Sequence, residues 1–334
     1  AEQITVYDQS DDGIDFGSEY LDDVFDPAQT FAFILDIPIF DLKDNDGGNY
    51  AVVDNSIDGT WRGADIFKSS ERDGDYYSQT TFTQKTKTGK VIAFQNSNHQ
   101  LNTIDYLTRI EVSSSGQLYS ISREELLNGG NLCLIGNELL QFMNAELTAP
   151  NTYVLTGLLR CRFGTEKYIT ELAINKQFIF FDFTNSSIAR INKSDYMYGV
   201  YKYYKGVSVG QSLDEVASIK FRNNAIGLKP YSVVHVIPNR NDDGDLFVEF
   251  SKRMRGQAVL NNTLDPLDPD GDYYEMDIYK DGAVVRTLTS TTLSFTYPAS
   301  QQITDFGSVQ SSVNLSIYKV NRSFGRGFDY TNTL

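Results

Sequence analysis

Apolar and aromatic residues recur at every second position in short runs along this chain, and Gly, Asp and Asn interrupt the runs. That period belongs to half-buried strands rather than to helices. Runs at 31–35 and 49–53 flank the turn Asp44-Asn-Asp-Gly-Gly48. Further strands are predicted at 65–67, 76–82, 91–94 and 108–112. Residues 131–135 lead through Gly136-Asn137 into 138–143, the pattern of a hairpin. Strands at 152–155, 178–183 and 196–204 follow. One helix is predicted: Ser122-Arg-Glu-Glu125 is a capping box, Leu126 and Leu127 stand behind it, and Gly129 ends it.

From residue 231 the text becomes more regular. Seven runs fall at 231–237, 245–251, 273–280, 283–289, 292–296, 313–320 and 328–333. Asp281-Gly282 joins the third to the fourth as a hairpin, and Asp243-Gly244 separates the first two. Seven short strands at this spacing predict an immunoglobulin or fibronectin type III sandwich. No cysteine pair brackets the segment, which favours the fibronectin type. The fold expected is mainly β in three parts: an acidic lead-in over 1–28, an irregular β domain with one short helix over 29–227, and a fibronectin type III-like sandwich over 228–334. The apolar run 31–40 is too short to span a bilayer and is broken by Asp36 and Pro38. The chain opens on Ala1 with no signal peptide, as a processed or excised piece of something longer would.

Charge narrows the partners. Acids outnumber bases 44 to 29 over 334 residues, for a net charge of −15. A nucleic-acid binder needs a basic stripe to displace condensed counterions, so that class is excluded, and anionic membranes are disfavoured on the same ground. Two cysteines, Cys133 and Cys161, rule out a disulfide-dense scaffold and a four-cysteine zinc site. Both lie in apolar strand text, as two buried thiols or one disulfide. The sequons at Asn185, Asn192, Asn261, Asn314 and Asn321 carry meaning only in a secreting eukaryote.

Candidate chemistry is sparse. The two histidines, His99 and His235, fall in separate predicted domains, neither near a cysteine in sequence, and no phosphate-binding glycine loop occurs. His235 alternates within a strand, as a satisfied sheet residue does. Residues 239–244 have the spacing of an EF-hand start, but Asn239 takes the first position and Phe250 the twelfth, where a bidentate Glu is required. The loop 265–272 offers four carboxylates, either as turn formers or as a weak cation site. Tyr196, Tyr198, Tyr201, Tyr203 and Tyr204 suit a core, a subunit interface or a sugar-stacking platform, with Tyr196 and Tyr198 sharing one strand face and Tyr201 and Tyr203 another. No catalytic, cofactor-binding or metal-ligating residue is assigned, and a non-enzymatic protein is expected.

The stretch Leu134-Ile-Gly-Asn-Glu-Leu-Leu-Gln-Phe142, with Leu158-Leu-Arg-Cys-Arg-Phe-Gly-Thr-Glu166 after it, is more particular. It resembles the tail-hub (baseplate hub, host-specificity or megatron-type) proteins of long-tailed phages and gene transfer agents. Gly227-Leu-Lys-Pro230, Gly244-Asp-Leu246, the 281–286 hairpin, Asp305-Phe-Gly307, Gly325-Arg-Gly327 and the early 33–40 run follow the family's order. Cys161 stands where the family usually has Gly, and Phe250 where a sandwich Trp is common. The resemblance covers residue 29 to the end and implies the carboxy-terminal part of such a protein, without the glycosidase-like barrel of longer members. It implies a structural component of a tail tip, supporting tube closure and host-contact surface in the virion, made in a bacterial cytoplasm. The implied partners are other tail-tip proteins, further copies of this chain in a homotrimer, and a host surface glycan or receptor, with neither nucleic acid nor membrane insertion. A carbohydrate-binding or adhesive module is the alternative. Within the arginine-rich motif, Gly164 is expected to permit a left-handed turn that lets Glu166 pair with Arg160 or Arg162 as a structural clamp.

Overall fold

The early alternating runs form strands β1 (Thr30–Leu35) and β2 (Asn49–Asn55), followed by β3 (Ala64–Ser69), β4 (Tyr77–Phe82), β5 (Lys87–Gln95) and β6 (Arg109–Ser113). Helix α1 (Arg123–Leu127) precedes the hairpin of β7 (Leu132–Ile135) and β8 (Glu138–Ala149). Then come β9 (Thr152–Leu159), β10 (Gln177–Phe180), β11 (Ile188–Ile191), β12 (Tyr201–Ser208) and β13 (Ile219–Arg222). The last part holds β14 (Val234–Arg240), β15 (Leu246–Ser251), β16 (Tyr274–Lys280), β17 (Ala283–Ser290), β18 (Ser294–Tyr297), helix α2 (Ala299–Phe306), β19 (Asn314–Asn321) and β20 (Gly325–Thr333). This computed structural model describes residues 27–55, 61–96, 103–191, 198–255 and 268–334. The acidic lead-in therefore lies, apart from its last two residues, outside the described residues.

Six strands close into a barrel in the order β10-β5-β6-β9-β8-β7, with β7 returning to pair with β10. Closure leaves this sheet no free edge. Inside it Val91, Ile110, Val112, Cys133, Leu140, Phe142, Leu155 and Phe178 form one buried cluster. A three-stranded sheet, β1-β2-β11, lies on the barrel's outer face, and a four-stranded sheet, β13-β12-β3-β4, covers that sheet in turn. The burial of β2 follows from this layering. Tyr50 and Val52 pack toward the barrel with Leu132, Leu134 and Ile179, while Ala51 and Val53 pack the other way with Ile66, Phe82 and Tyr204. All seven residues of β2 are buried, which is why its sequence lacks the polar face of an ordinary antiparallel strand. Its three polar side chains are partnered: Thr88 Oγ1 donates to Asp54 Oδ2 at 2.6 Å, Lys85 Nζ to Asn55 Oδ1 at 3.1 Å, and Asn49 Nδ2 to Tyr204 Oη at 3.4 Å.

The final segment is a two-sheet sandwich. A three-stranded sheet, β14-β15-β18, faces a four-stranded one, β17-β16-β19-β20, in the strand order of fibronectin type III domains. All seven predicted runs are strands, and the 281–282 turn joins β16 to β17 as expected. Phe250, in the place of the family's tryptophan, packs 4.9 Å from the Tyr274 ring and 5.6 Å from the Phe295 ring within the core.

The capping box is formed, with Glu125 N–H donating to Ser122 Oγ and Ser122 N–H to Glu125 Oε2 at 2.7 Å. Gly129 ends the turn at a φ of +97°. Four features depart from the sequence reading. Helix α2 is unforeseen, because its buried residue is Gln302 rather than an apolar stripe. That glutamine, 0% exposed, donates to the carbonyls of Gly244 and Tyr297 and accepts from Gln310 N–H, fixing α2 to the turn before β15. The four-residue strands β11 and β13 were missed, and the 178–183 run leaves the sheet at Phe180, where Asp182 starts a turn by accepting from Thr184 N–H. His235 is exposed at a bulge with a φ of +50° rather than a satisfied sheet residue, and His99 lies outside the described residues.

Four of the resemblance motifs act in pairs as two fasteners. Phe328 N–H donates to Pro230 O at 2.9 Å, and a Cβ on Gly327 would lie 2.3 Å from that same oxygen. Gly327→Ala should therefore force the last strand off Pro230 and lower stability by about 1–3 kcal/mol in denaturant unfolding. In the second fastener Arg286 grips Asp305 with two hydrogen bonds, 2.6 and 2.8 Å, while Tyr297 Oη donates to Asp305 Oδ2 at 2.6 Å. The Arg286 guanidinium holds the Asp305 carboxyl below the usual carboxylate range. The stabilisation is therefore present above the unfolded-state pKa of about 3.9 and is lost as pH falls through the lower folded-state value. Asp305→Asn should flatten the acid limb of the melting curve against pH, and an unchanged acid limb would contradict this assignment.

Candidate functional site

Between the barrel and the sandwich lies a cavity of about 1270 Å³. Its barrel side is built from the arginine-rich motif at the end of β9. Glu138, the first residue of β8, faces Arg160, and both side chains are 2% exposed. Arg160 donates from Nε to Oε1 and from Nη2 to Oε2 of Glu138, each at 2.6 Å, and Cys161 N–H adds a third bond to Oε1 at 3.1 Å. The chain then turns sharply: Cys161 has φ +58°, Phe163 +56° and Gly164 +80°. Left-handed backbone is ordinary for glycine and strained for the other two. Gly164 also lacks room for a side chain, since a Cβ there would lie 2.5 Å from the Tyr231 ring. Thr165 secures the turn, its Oγ1 donating to Arg162 O at 2.7 Å and accepting from Leu139 N–H at 3.2 Å.

The expected clamp exists with other partners. Glu166 pairs with neither Arg160 nor Arg162; its Oε1 accepts from Arg253 Nη1 at 2.5 Å. Arg253 follows β15, so the bond crosses from barrel to sandwich, and the same guanidinium donates to Ser232 O and Oγ at 2.9 and 2.6 Å. Two residues on, Arg255 forms a second cross-link. It donates to Asp270 from Nε and Nη2 and, from Nη1, to Asn45 Oδ1 at 2.9 Å and Gly227 O at 2.7 Å. One guanidinium thus fastens the turn before β2, the segment before β14 and the loop before β16.

This network settles the fate of the acidic loop at 265–272, of which Asp268, Asp270 and Asp272 are described. Asp270 takes Arg255 and Asn321, Asp268 takes Lys319, and Asp272 takes Lys252 at 2.9 Å and Tyr274 at 2.9 Å. Each of these three described carboxylates is thus matched with an ammonium or guanidinium group. At the EF-hand-like turn, Asn241 and Asp245 bond each other and Asp245 accepts from Ala299 N–H. Among the described residues no three His, Cys, Asp or Glu side chains are placed to hold a metal ion.

Aromatic rings form the floor of the cavity. Phe40 lies 4.8 Å from Tyr50, 5.6 Å from Phe163 and 5.2 Å from Phe183. Arg190 covers Tyr50 at 4.8 Å, bonds Asp46, and donates to Asp44 O at 2.8 Å. Burial, with Asp44 accepting from the hydroxyl, raises the Tyr50 pKa and keeps the phenol protonated. Cys133 and Cys161 are both buried free thiols, and burial followed by the nearby Glu138 charge raises the pKa of each.

The tyrosine series does not form one platform. Tyr196 lies outside the described residues, and Tyr198 precedes β12 instead of sharing a strand face with it. Tyr204 is buried against Phe221. Tyr201 is half exposed, with Lys220 at 4.2 Å and Arg222 at 5.5 Å from its ring centre.

Comparison with known proteins gives one family match. A model described as Rcc01698-like, C-terminal, matches residues 91–179, which run from β5 to β10 and so cover the barrel strands and the arginine-rich turn. No curated protein sequence matches the chain. Among solved structures, domains d3–d4 of the rat CD45 extracellular region are 12% identical, covering 46% of this chain and 73% of that one at a TM-score of 0.24. The chicken CNTN1 FN1–FN3 domains are 8% identical, covering 92% and 99% at a TM-score of 0.23. No chain element is assigned from scores so low, and the sandwich rests on its own strand order.

No helix of the described residues is long and apolar enough to cross a membrane. Removing one partner of the enclosed Arg160–Glu138 pair strands a charge away from water. Glu138→Gln or Arg160→Met should each lower stability by about 3–5 kcal/mol, while the double apolar replacement Glu138→Leu with Arg160→Met should recover much of that loss. Urea unfolding of the three variants checks both statements.

Proposed function

We propose that this chain is a non-enzymatic structural component of the tail tip or baseplate hub of a phage or gene transfer agent, supporting tube closure and host-contact surface. The observation that carries the reading is where the motif residues of the resemblance act. Glu138, Arg160, Gly164 and Glu166 build the barrel side of the cross-link, and Gly227 accepts from Arg255. Asp305 locks helix α2 to the sheet, and Gly327 lets the last strand lie against Pro230. These motifs fasten segments of the chain to one another, and Glu166 and Gly227 do so between barrel and sandwich. The family match to the barrel residues supports the same reading. In it the partners are neighbouring tail-tip proteins and two further copies of this chain, and the site of residence is the virion.

Immunogold labelling of purified particles with antibody to this chain should decorate one end of the tail. Light scattering on the purified chain should give about three times the 37.6 kDa of one copy. Particles free of label would remove the proposal, and a strictly monomeric chain would remove its trimeric element.

A further inference from the structure

The outermost sheet, β13-β12-β3-β4, packs one face on the layer beneath and turns the other outward. Tyr204, Ile66 and Phe82 belong to the inner face, and a Cβ on Gly206 would lie 2.6 Å from the Cβ of Ala32 on β1. Strand alternation therefore places Tyr201, Tyr203 and Lys205 on the outer face. The register sets Arg222 beside Tyr201, Lys220 beside Tyr203, and Phe67 beside Lys205. Lys220 Nζ lies 4.2 Å and the Arg222 guanidinium 5.5 Å from the centre of the Tyr201 ring, which is 47% exposed. Lys205 Nζ lies 4.8 Å from the centre of the Tyr76 ring and donates to Leu213 O. At the joint of barrel and sandwich every such cation meets a carboxylate, as Arg253, Arg255 and Lys319 do. Lys205, Lys220 and Arg222 have no carboxylate within ion-pair distance among the described residues. Asp65, on the same face of β3, accepts from Thr81 Oγ1 instead.

A basic, aromatic surface stands out on a chain of net charge −15, and the sequence shows where much of the opposite charge lies. Residues 1–26 hold nine of the 44 acids and none of the 29 bases. Tyr7, Phe16, Tyr20 and Phe25 are spaced among those acids. Such rings pack well on other tyrosines. The segment also joins the described structure at this very sheet. Ser208, the last residue of β12, donates to Ala28 O at 2.5 Å and shares a 2.7 Å hydrogen bond with Thr30 on β1. From Ser208 back to Tyr201 is roughly 23 Å along the strand, whereas a fully extended segment of this length reaches roughly 85 Å. A tethered segment acts at an effective concentration on the order of millimolar, which favours a chain's own segment over that of another copy.

We propose that the acidic residues 2–26 dock on the outer face of this sheet in the same chain, with their carboxylates meeting Lys205, Lys220 and Arg222 and their aromatic rings meeting Tyr201 and Tyr203. The inference stands on the charge and placement of this face and does not depend on the tail-tip reading.

Carbodiimide coupling of the full chain tests it, because the reagent joins an amine to a carboxylate only where the two touch. An equal mixture of unlabelled and nitrogen-15-labelled chain is coupled and digested, and the linked peptides are identified by mass spectrometry. Lys205 and Lys220 should be linked to acids of 2–26, both halves of each pair carrying the same isotope. Their yield should exceed that at Lys90 and Lys280, which are exposed on the barrel and the sandwich. It should fall severalfold in 1 M salt, where the Debye length is about 3 Å. Lys220→Glu with Arg222→Glu should lower the Lys205 yield by about fivefold or more, because like charges are then set against each other. Absence of these links, pairs of mixed isotope as frequent as pairs of one isotope, equal yields at Lys90 and Lys280, or an unchanged Lys205 yield in the double variant would each overturn the proposal. Should the charge reversal fail to fold, Lys220→Gln with Arg222→Gln takes its place, and an unchanged Lys205 yield there overturns the proposal equally.

Discussion

Arg255 is about 1% exposed, and its carboxylate partner Asp270 is equally enclosed. A guanidinium in that position is tolerable only when every face of it meets an acceptor, because transfer from water costs several kcal/mol per ion before the pair recovers any of it. The acceptors come from widely separated parts of the chain: Asn45, Gly227 and Asp270. The charge therefore dictates where three segments must be at once. Its neighbours repeat the device, Arg253 toward Glu166 and Lys319 toward Asp268 and the Arg253 carbonyl. Pairs of this kind add little net stability and much specificity, since any other docking of sandwich on barrel leaves a buried charge unanswered.

The layers on the barrel obey a different constraint. Strand β2 is covered on both sides, so two cores share a single backbone. In the barrel and the sandwich, packing is the ordinary burial of apolar side chains. The chain carries a net charge of −15, while Arg253, Arg255 and Lys319 supply positive charge where segments meet. Net repulsion acts between free chains, and attraction acts where segments meet.

What the sequence disclosed follows from range. The seven sandwich strands, the β7–β8 hairpin and the capped turn of α1 are written in neighbouring residues, so alternation and turn chemistry suffice to find them. Helix α2 escaped because its anchor is the polar Gln302, whose partners are Gly244 and Tyr297. Strands β11 and β13 are too short to establish a period. The Glu166 clamp was legible as a clamp but not in its partner, because Arg253 is 87 residues away and Arg160 is taken by Glu138. The carboxylates of 268–272 resembled turn formers or ligands, and only tertiary structure supplies the cations that occupy them. The left-handed backbone at Cys161 and Phe163 has no sequence signature at all, since only glycine at 164 advertises a positive φ.

The two thiols carry a consequence of their own. Cys133 lies inside the barrel, and Cys161 lies against the Glu138 carboxylate, its Sγ 3.6 Å from Oε1. Thiol–disulfide exchange requires the thiolate, and here both shielding from water and a neighbouring negative charge oppose its formation. Cys133 is fully enclosed, and Cys161 keeps only 6% of its surface exposed, at the wall of the cavity. Thiolate formation is thus disfavoured at both sulfurs, and the joints between barrel and sandwich are held by charge pairs rather than by disulfides.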